Sequence, residues 1–101
     1  MTLAAVPTKK TEVTATMDDN EIDIHLGRRL RRRRRLLGLT QQELADACGV
    51  GFQQIQKYEC AANRVNAVRL WQLAEALEVS VNYFFEGLPS KRNVSPLDRA
   101  A

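Results

Sequence analysis

Two groups of side chains in this 101-residue sequence carry chemistry that a packed core does not need. One is the run Arg28, Arg29, Arg31, Arg32, Arg33, Arg34 and Arg35, a dense block of fixed positive charge. The other is Phe52, Gln53, Gln54, Gln56 and Lys57, which places aromatic, amide and ammonium groups along one short stretch. Clustered guanidinium groups suit a polyanion. A glutamine amide can bond adenine through two hydrogen bonds, a lysine can meet guanine acceptors, and an aromatic ring can pack on a thymine methyl. Catalytic combinations are missing: there is no Ser/His/Asp or Cys/His set, no paired carboxylates and no phosphate-cradling glycine loop. His25 stands alone, and Cys48 and Cys60 make neither a disulfide framework nor a zinc site. The expectation is a protein that is not an enzyme and takes no metal or cofactor.

The composition, 45% apolar and 27% charged, suits a soluble globular protein. No apolar run approaches the roughly 18 residues of a membrane span, and the N-terminus lacks the basic start and apolar core of a secretory signal. With two cysteines and no such segment, the expected setting is the reducing cytoplasm. The net charge of +3 is unevenly spread. Residues 21–35 hold all the clustered arginines against Glu21 and Asp23, whereas residues 36–87 carry more acids than bases. Pro7, Pro89 and Pro96 all fall outside residues 21–87. The chain therefore reads as a disordered N-terminal tail (1–20), a folded domain (21–87) and a flexible C-terminal tail (88–101).

The elements that would position these groups are all helical. Residues 40–58, TQQELADACGVGFQQIQKY, read as two short helices joined by a tight turn. Thr40 and Glu43 have the spacing of a capping box. Leu44, Ala45 and Cys48 form a small apolar face, Ala45 being small where two backbones must approach. Gly49 suits the left-handed C-terminal position, and Val50 plugs the turn. In the second helix Ile55 and Tyr58 face inward while the polar residues face out. Two short helices at a steep angle, with polar side chains along the second, have the shape that enters a DNA major groove. Before them, a helix over about 23–37 is expected, with Asp23 as N-cap, Leu26, Leu30 and Leu37 on one face, and Gly38 as the stop. Arg31, Arg32 and Arg35 point away from that face, and Arg33 and Arg34 lie at its edges. After them, Asn66 caps a fourth helix with the stripe Leu70, Leu73, Ala74 and Leu77. Ser80 caps a short fifth helix over 81–86, which Gly87 ends. The predicted core is Leu26, Leu30, Leu37, Leu44, Ala45, Cys48, Val50, Ile55, Leu70, Leu73, Leu77, Val81 and Phe84, with Trp71 covering its edge. Five short helices make a compact, marginal core.

Over residues 24–87 the sequence resembles the Cro/repressor (XRE) helix-turn-helix family, carried by GRRLRRRRRLLGLTQQELADACGV, FQQIQKYE and LAEALEVSVNYFFEGL. The resemblance implies an all-α, five-helix lambda-repressor-like domain that binds double-stranded DNA as a transcriptional regulator. It implies structural roles for Thr40, Glu43, Ala45, Gly49 and Ile55, which build the angle between the two helices. It carries base reading onto Phe52, Gln53 and Lys57, with Gln54 and Gln56 nearby, and phosphate bonding onto Gln41. It also pairs Arg34 with Glu59, tying the first helix to the end of the third, with Arg34 a further phosphate candidate. Asn63 and Arg64, in the loop after the third helix, are phosphate candidates from charge and position. The stretch ECAANR departs from the family pattern, since Ala61 stands where glycine is favoured; a left-handed backbone there would cost alanine about 1 kcal/mol.

Val81, Tyr83 and Phe85 form an apolar patch at the end of the domain, and in the resembled phage repressors that end makes dimer contacts. The expected activity is repression by a homodimer on a pseudo-palindromic operator. Two alternatives stand beside it. One is an antitoxin that binds a toxin through a tail and represses its own operon. The other is an arginine-rich RNA-binding protein, against which the leucine stripe argues for a packed helix. Cys60, beside the loop, is the one thiol placed for redox sensitivity, and Cys48 reads as a small buried hydrophobe.

Overall fold

The computed structural model describes residues 17–89; of the expected tails at 1–20 and 88–101, residues 1–16 and 90–101 lie outside the described residues, and so does the toxin-binding role given to them. Helices α1 (Asp19–Leu36), α2 (Gln41–Cys48), α3 (Phe52–Glu59) and α4 (Ala67–Leu77) are followed by a single 3-10 turn, η1 (Val81–Phe85). Together they form one unit, Asp19–Glu86, with no strand among the described residues. The architecture is all-α, as expected, but the fifth element is not an α-helix. Its sequence, VNYFF, is β-branched and aromatic, and Ser80 makes no side-chain cap bond. Poor helix formers without a cap settle for the tighter turn. It ends at Phe85, before Gly87.

Helix α1 begins at Asp19, four residues before the expected start, and Asp23 lies inside it rather than capping it. Asp19 and Glu21 in the first turn and Arg33, Arg34 and Arg35 in the last complement the helix dipole. The buried stripe is also different. Half-buried Ile22 leads into Leu26 and Leu30, and the next position at four-residue spacing is Arg34, which is buried. Leu37, predicted to continue the stripe, lies beyond the helix end and is 36% exposed. Gly27 is buried against α3: a Cβ there would stand 2.6 Å from the Tyr58 carbonyl oxygen and 2.7 Å from that of Glu59. The glycine therefore sets how closely α1 and α3 approach.

All four helices end in the same way. At Gly38, Gly49, Ala61 and Glu78 the backbone turns left-handed, with φ of 74°, 72°, 62° and 60°. In each case the next residue's N–H returns to the carbonyl five positions back: Leu39 to Arg34 at 3.0 Å, Val50 to Ala45 at 3.0 Å, Ala62 to Lys57 at 2.8 Å and Val79 to Ala74 at 3.0 Å. These are Schellman motifs, which satisfy carbonyls a helix end would otherwise leave bare. Leu39, Val50 and Val79, one residue past each left-handed position, pack against the core. The chain is thus turned sharply four times by a hydrogen-bond pair, three times with an apolar plug; Ala62, after the third turn, is exposed.

The core consists of Leu26, Leu30, Leu44, Ala45, Ile55, Tyr58, Leu70, Leu73, Ala74, Leu77 and Phe84. Tyr58 and Ala74 join the predicted set, whereas Cys48, Val50 and Val81 are only half-buried at its edge. Trp71 does not cover the core: it is 58% exposed on the outer side of α4, near the equally exposed Val68. The small volume enclosed by helices of 8 to 11 residues leaves no room for an indole beneath them.

Two of the four left-handed turns are made without glycine, and the strain there is removable. Replacing Ala61 with glycine is expected to stabilise the domain by about 1 kcal/mol, a rise of about 4–8 °C in the melting midpoint for a domain of this size. Thermal unfolding followed by circular dichroism measures it; an unchanged or lower midpoint would contradict the strain.

Candidate nucleic-acid interface

The turn between α2 and α3 is built as the sequence pattern requires. Thr40 Oγ1 accepts from the Glu43 N–H at 3.0 Å, and Glu43 Oε1 accepts from the Thr40 N–H at 2.8 Å. Leu44, Ala45 and Ile55 are wholly buried at the crossing. Gly51 precedes α3 in an extended conformation and supplies no side-chain cap, so the first N–H groups of that helix are left open to an acceptor from outside.

Behind this turn lies a buried ionic junction. Arg34 Nε donates to Glu59 Oε2 at 2.6 Å, and Nη2 donates to Glu59 Oε1 at 3.0 Å, in the forked geometry that suits guanidinium and carboxylate. Arg34 Nη1 donates to the Leu39 carbonyl at 2.8 Å, and Gln41 Nε2 donates to Glu59 Oε1 at 3.0 Å. The junction therefore binds α1, the linker into α2, the first residue of α2 and the last residue of α3. The Arg34 and Glu59 side chains are 10% and 5% exposed. The hydrogen bond to Glu59 raises the Arg34 pKa above its ordinary value, against the opposing cost of burial. A raised arginine pKa means the bond is held below that range and lost only above it, so alkaline pH in the physiological span does not release it.

The outer face of α3 is free. Phe52, Gln53, Gln56 and Lys57 are exposed and Gln54 is half-buried. No side chain of Gln53, Gln54, Gln56 or Lys57 is hydrogen-bonded or ion-paired to another described residue. These groups are held on a rigid helix with their donors and acceptors unspent.

The phosphate candidates are less alike than their sequence suggests. Arg34 is buried and gives three of its five N–H donors to Glu59 and the Leu39 carbonyl. Gln41 holds Glu59 with one N–H and keeps its second donor. Asn63 is exposed, with no bonded partner for its side chain among the described residues. Arg64 is held against α1: its Nε lies 3.2 Å from both oxygens of Asp23, and Nη2 lies 3.4 Å from Asp19. The side chain is nonetheless 60% exposed. No sequence signal marked Asp23 as its partner, because the two residues meet only when the loop after α3 folds back on α1.

The remaining inward arginines hold the rest of the unit. Arg33 Nε donates to the Leu77 carbonyl at the end of α4, at 2.9 Å. Arg29 Nε donates to the Tyr83 carbonyl at 2.9 Å, and its Nη2 to Glu86 at 2.8 Å, with the guanidinium 3.8 Å from the centre of the Tyr83 ring. His25 Nε2 lies 2.8 Å from the Glu86 carbonyl. Tyr83 is accordingly half-buried, and so is Val81, while Phe85 is 40% exposed beside Ile22, Leu26, Val65 and Leu70. Cys60 is exposed; Cys48 is half-buried, and burial pushes its thiol pKa up, against the opposing pull of Arg69.

A helix-turn-helix family model matches residues 30–84. An uncharacterized HTH-type transcriptional regulator of Sinorhizobium fredii is 54% identical over 70 residues, which are 69% of this chain and 49% of that protein. An uncharacterized transcriptional regulator encoded in the ATPase CF(0) region of Rhodospirillum rubrum is 51% identical over 69 residues, covering 68% of this chain and 64% of that one. The chain spans about half the length of the Sinorhizobium relative. Among solved structures, the restriction-modification controller protein C.AhdI of Aeromonas hydrophila superposes with a TM-score of 0.61 at 30% identity, over 62% of this chain and 96% of that one. The P22 c2 repressor, crystallised with a synthetic operator, gives 0.58 at 32% identity, over 61% and 94%. The chain belongs to the XRE-type helix-turn-helix family.

Because Arg34 and Glu59 are paired and buried, removing either leaves a charge without its partner. Arg34→Met or Glu59→Leu alone is expected to cost about 3–5 kcal/mol. The double variant is expected to lose less than the sum of the two, since neither charge is then stranded. Chemical denaturation of all four proteins measures the cycle, and simple additivity would mean that the pair does not couple the helices.

Proposed function

We propose that the unit Asp19–Glu86 is a sequence-specific reader of double-stranded DNA that acts as a transcriptional regulator, with α3 lying in the major groove. The observation that carries this reading is the unengaged polar row on α3, held at a set angle by the buried Arg34–Glu59 junction. That junction fixes the C-terminal end of α3 through Glu59. In support, the structurally similar P22 c2 repressor is described in complex with a synthetic operator.

In this reading Gln53 bonds adenine through its amide, Lys57 donates to guanine acceptors and Phe52 packs on a thymine methyl, with Gln54 and Gln56 at the margin. The open N-terminus of α3, the Gln41 and Gln42 N–H groups that the capping box of α2 leaves free, the free donor of Gln41, Asn63 and Arg64 position the backbone. Arg64 is then pre-aimed by Asp23 and Asp19 rather than left to wander. Repression is the expected outcome, by occlusion of a promoter. Two copies meeting through the end that carries Phe85, with Val81 and Tyr83 beneath it, would set their third helices about 10 base pairs apart on a pseudo-palindromic site.

If Gln53 reads a base, Gln53→Ala relaxes preference at one position of the site, at a cost of about 1–3 kcal/mol. Selection from random duplexes followed by competition binding measures this; uniform weakening on all sequences would show that Gln53 meets only backbone. Footprinting tests the dimer separately. Two protected half-sites one helical turn apart are expected, and a single half-site bound by a monomer would exclude the symmetric arrangement.

A further inference from the structure

The arginine run of α1 divides by helical period into two sets. Arg29, Arg33 and Arg34 turn inward, each binding the end of a different element. Arg28, Arg31, Arg32 and Arg35 stand exposed on the opposite side, where they line a shallow groove with the exposed Leu36. None of these four is hydrogen-bonded or ion-paired to another described residue. We propose that this ridge is a second phosphate-binding surface, which takes the backbone of duplex DNA flanking the site that α3 occupies. The inference rests on the reading of α3 given above and extends it to DNA beyond the bases read.

The ridge is not needed by the fold. Its members neighbour one another at three- and four-residue spacings, where like charges destabilise a helix. The structural tasks open to arginine on α1 are already met by the inward set. Its chemistry suits phosphate: guanidinium forks match pairs of phosphate oxygens, and arginine is the side chain that recognises them bidentately. Its length fits as well. Arg28 to Arg35 spans about 10 Å at roughly 1.5 Å per residue, while duplex DNA carries one charge per strand for about every 3.4 Å of its helix axis.

Position points the same way. Arg35 directly follows Arg34, whose guanidinium holds Glu59 and the Leu39 carbonyl beside Gln41. Only the linker 37–39 separates α1 from Thr40, the N-cap of α2. Arg35 is thus the ridge member nearest in the chain to the N-terminus of α2. Other partners fit less well. The ridge offers no aromatic residue on which single-stranded bases could stack. Leu36 is its sole apolar member, too little for the buried anchors of a protein interface.

The test is the salt dependence of binding by the full chain. It is measured on a long duplex carrying the selected site and on one trimmed to the site itself. Arg28→Gln, Arg31→Gln, Arg32→Gln and Arg35→Gln are made together; glutamine is nearly as good a helix former as arginine, and an unchanged melting curve verifies the fold. On the long duplex the variant's plot of log K against log salt is expected to be shallower by about 3–4, at roughly 0.9 per phosphate neutralised. The ratio of affinities for selected and scrambled sites stays as in the wild type. On the trimmed duplex the two proteins become alike, and lysine at all four positions restores most of the slope. An unaltered slope on the long duplex, or an equal loss on the trimmed one, overturns the proposal. A wild-type chain that prefers no duplex sequence would instead remove the reading of α3 itself.

Discussion

A carboxylate at the end of α3 is held by two hydrogen bonds from a guanidinium on α1 and a third from the amide at the start of α2. The Arg34–Glu59 junction is the constraint on which the placement of α3 depends. It lies in a nearly water-free position, where an unpaired charge would be severely penalised. The helices must therefore stay where the fork closes. A purely apolar contact could supply as much stability; the fork adds direction, since its two parallel bonds close in one geometry. Gly27 completes the restraint by letting the α1 backbone rest directly on the last carbonyls of α3. The outer face of α3 is rigid because its inner end is fixed ionically and its crossing with α2 is wholly packed.

The second constraint is the economy of the turns. A unit of 68 residues with short helices has little core to spare, so each helix must reverse sharply to cover its neighbour. Four Schellman motifs do this, each closing two hydrogen bonds, and three of them seat the following side chain (Leu39, Val50 or Val79) near the core. Glycine serves where α1 and α2 end. After α3 and α4 the same geometry is imposed on Ala61 and Glu78. Tertiary packing overrides a local preference there, because the loop after α3 must bring Arg64 to Asp23 and the chain after α4 must bring Phe84 into the core.

Much of this was legible in the residues. The capping box, the glycine turn and the spacing of Leu44, Ala45, Ile55 and Tyr58 are local chemistry, and local chemistry survives folding. That Arg31, Arg32 and Arg35 point outward follows from the helical period. Other features were not legible. Asp23 has the look of a helix cap, yet Ile22 adds an apolar contact that draws the helix back to Asp19. Leu37 has the right type for the core but lies past the point where Gly38 turns the chain. Val81, Tyr83 and Phe85 read as one patch, although Tyr83 is half covered because Arg29 stacks on its ring.

What the sequence determined by itself was the fold class, the helix-turn-helix and the polar row on the third helix, since each depends on contacts within one or two turns of chain. What only the tertiary structure decided was the division of labour among charges. Arg29, Arg33, Arg34 and Arg64 differ from Arg28, Arg31, Arg32 and Arg35 in partner, not in type. Their partners, Glu86, the Leu77 carbonyl, Glu59 and Asp23, lie 57, 44, 25 and 41 residues away in the chain. A side chain's charge is written locally, but whether it is spent or free is settled by what the fold brings beside it.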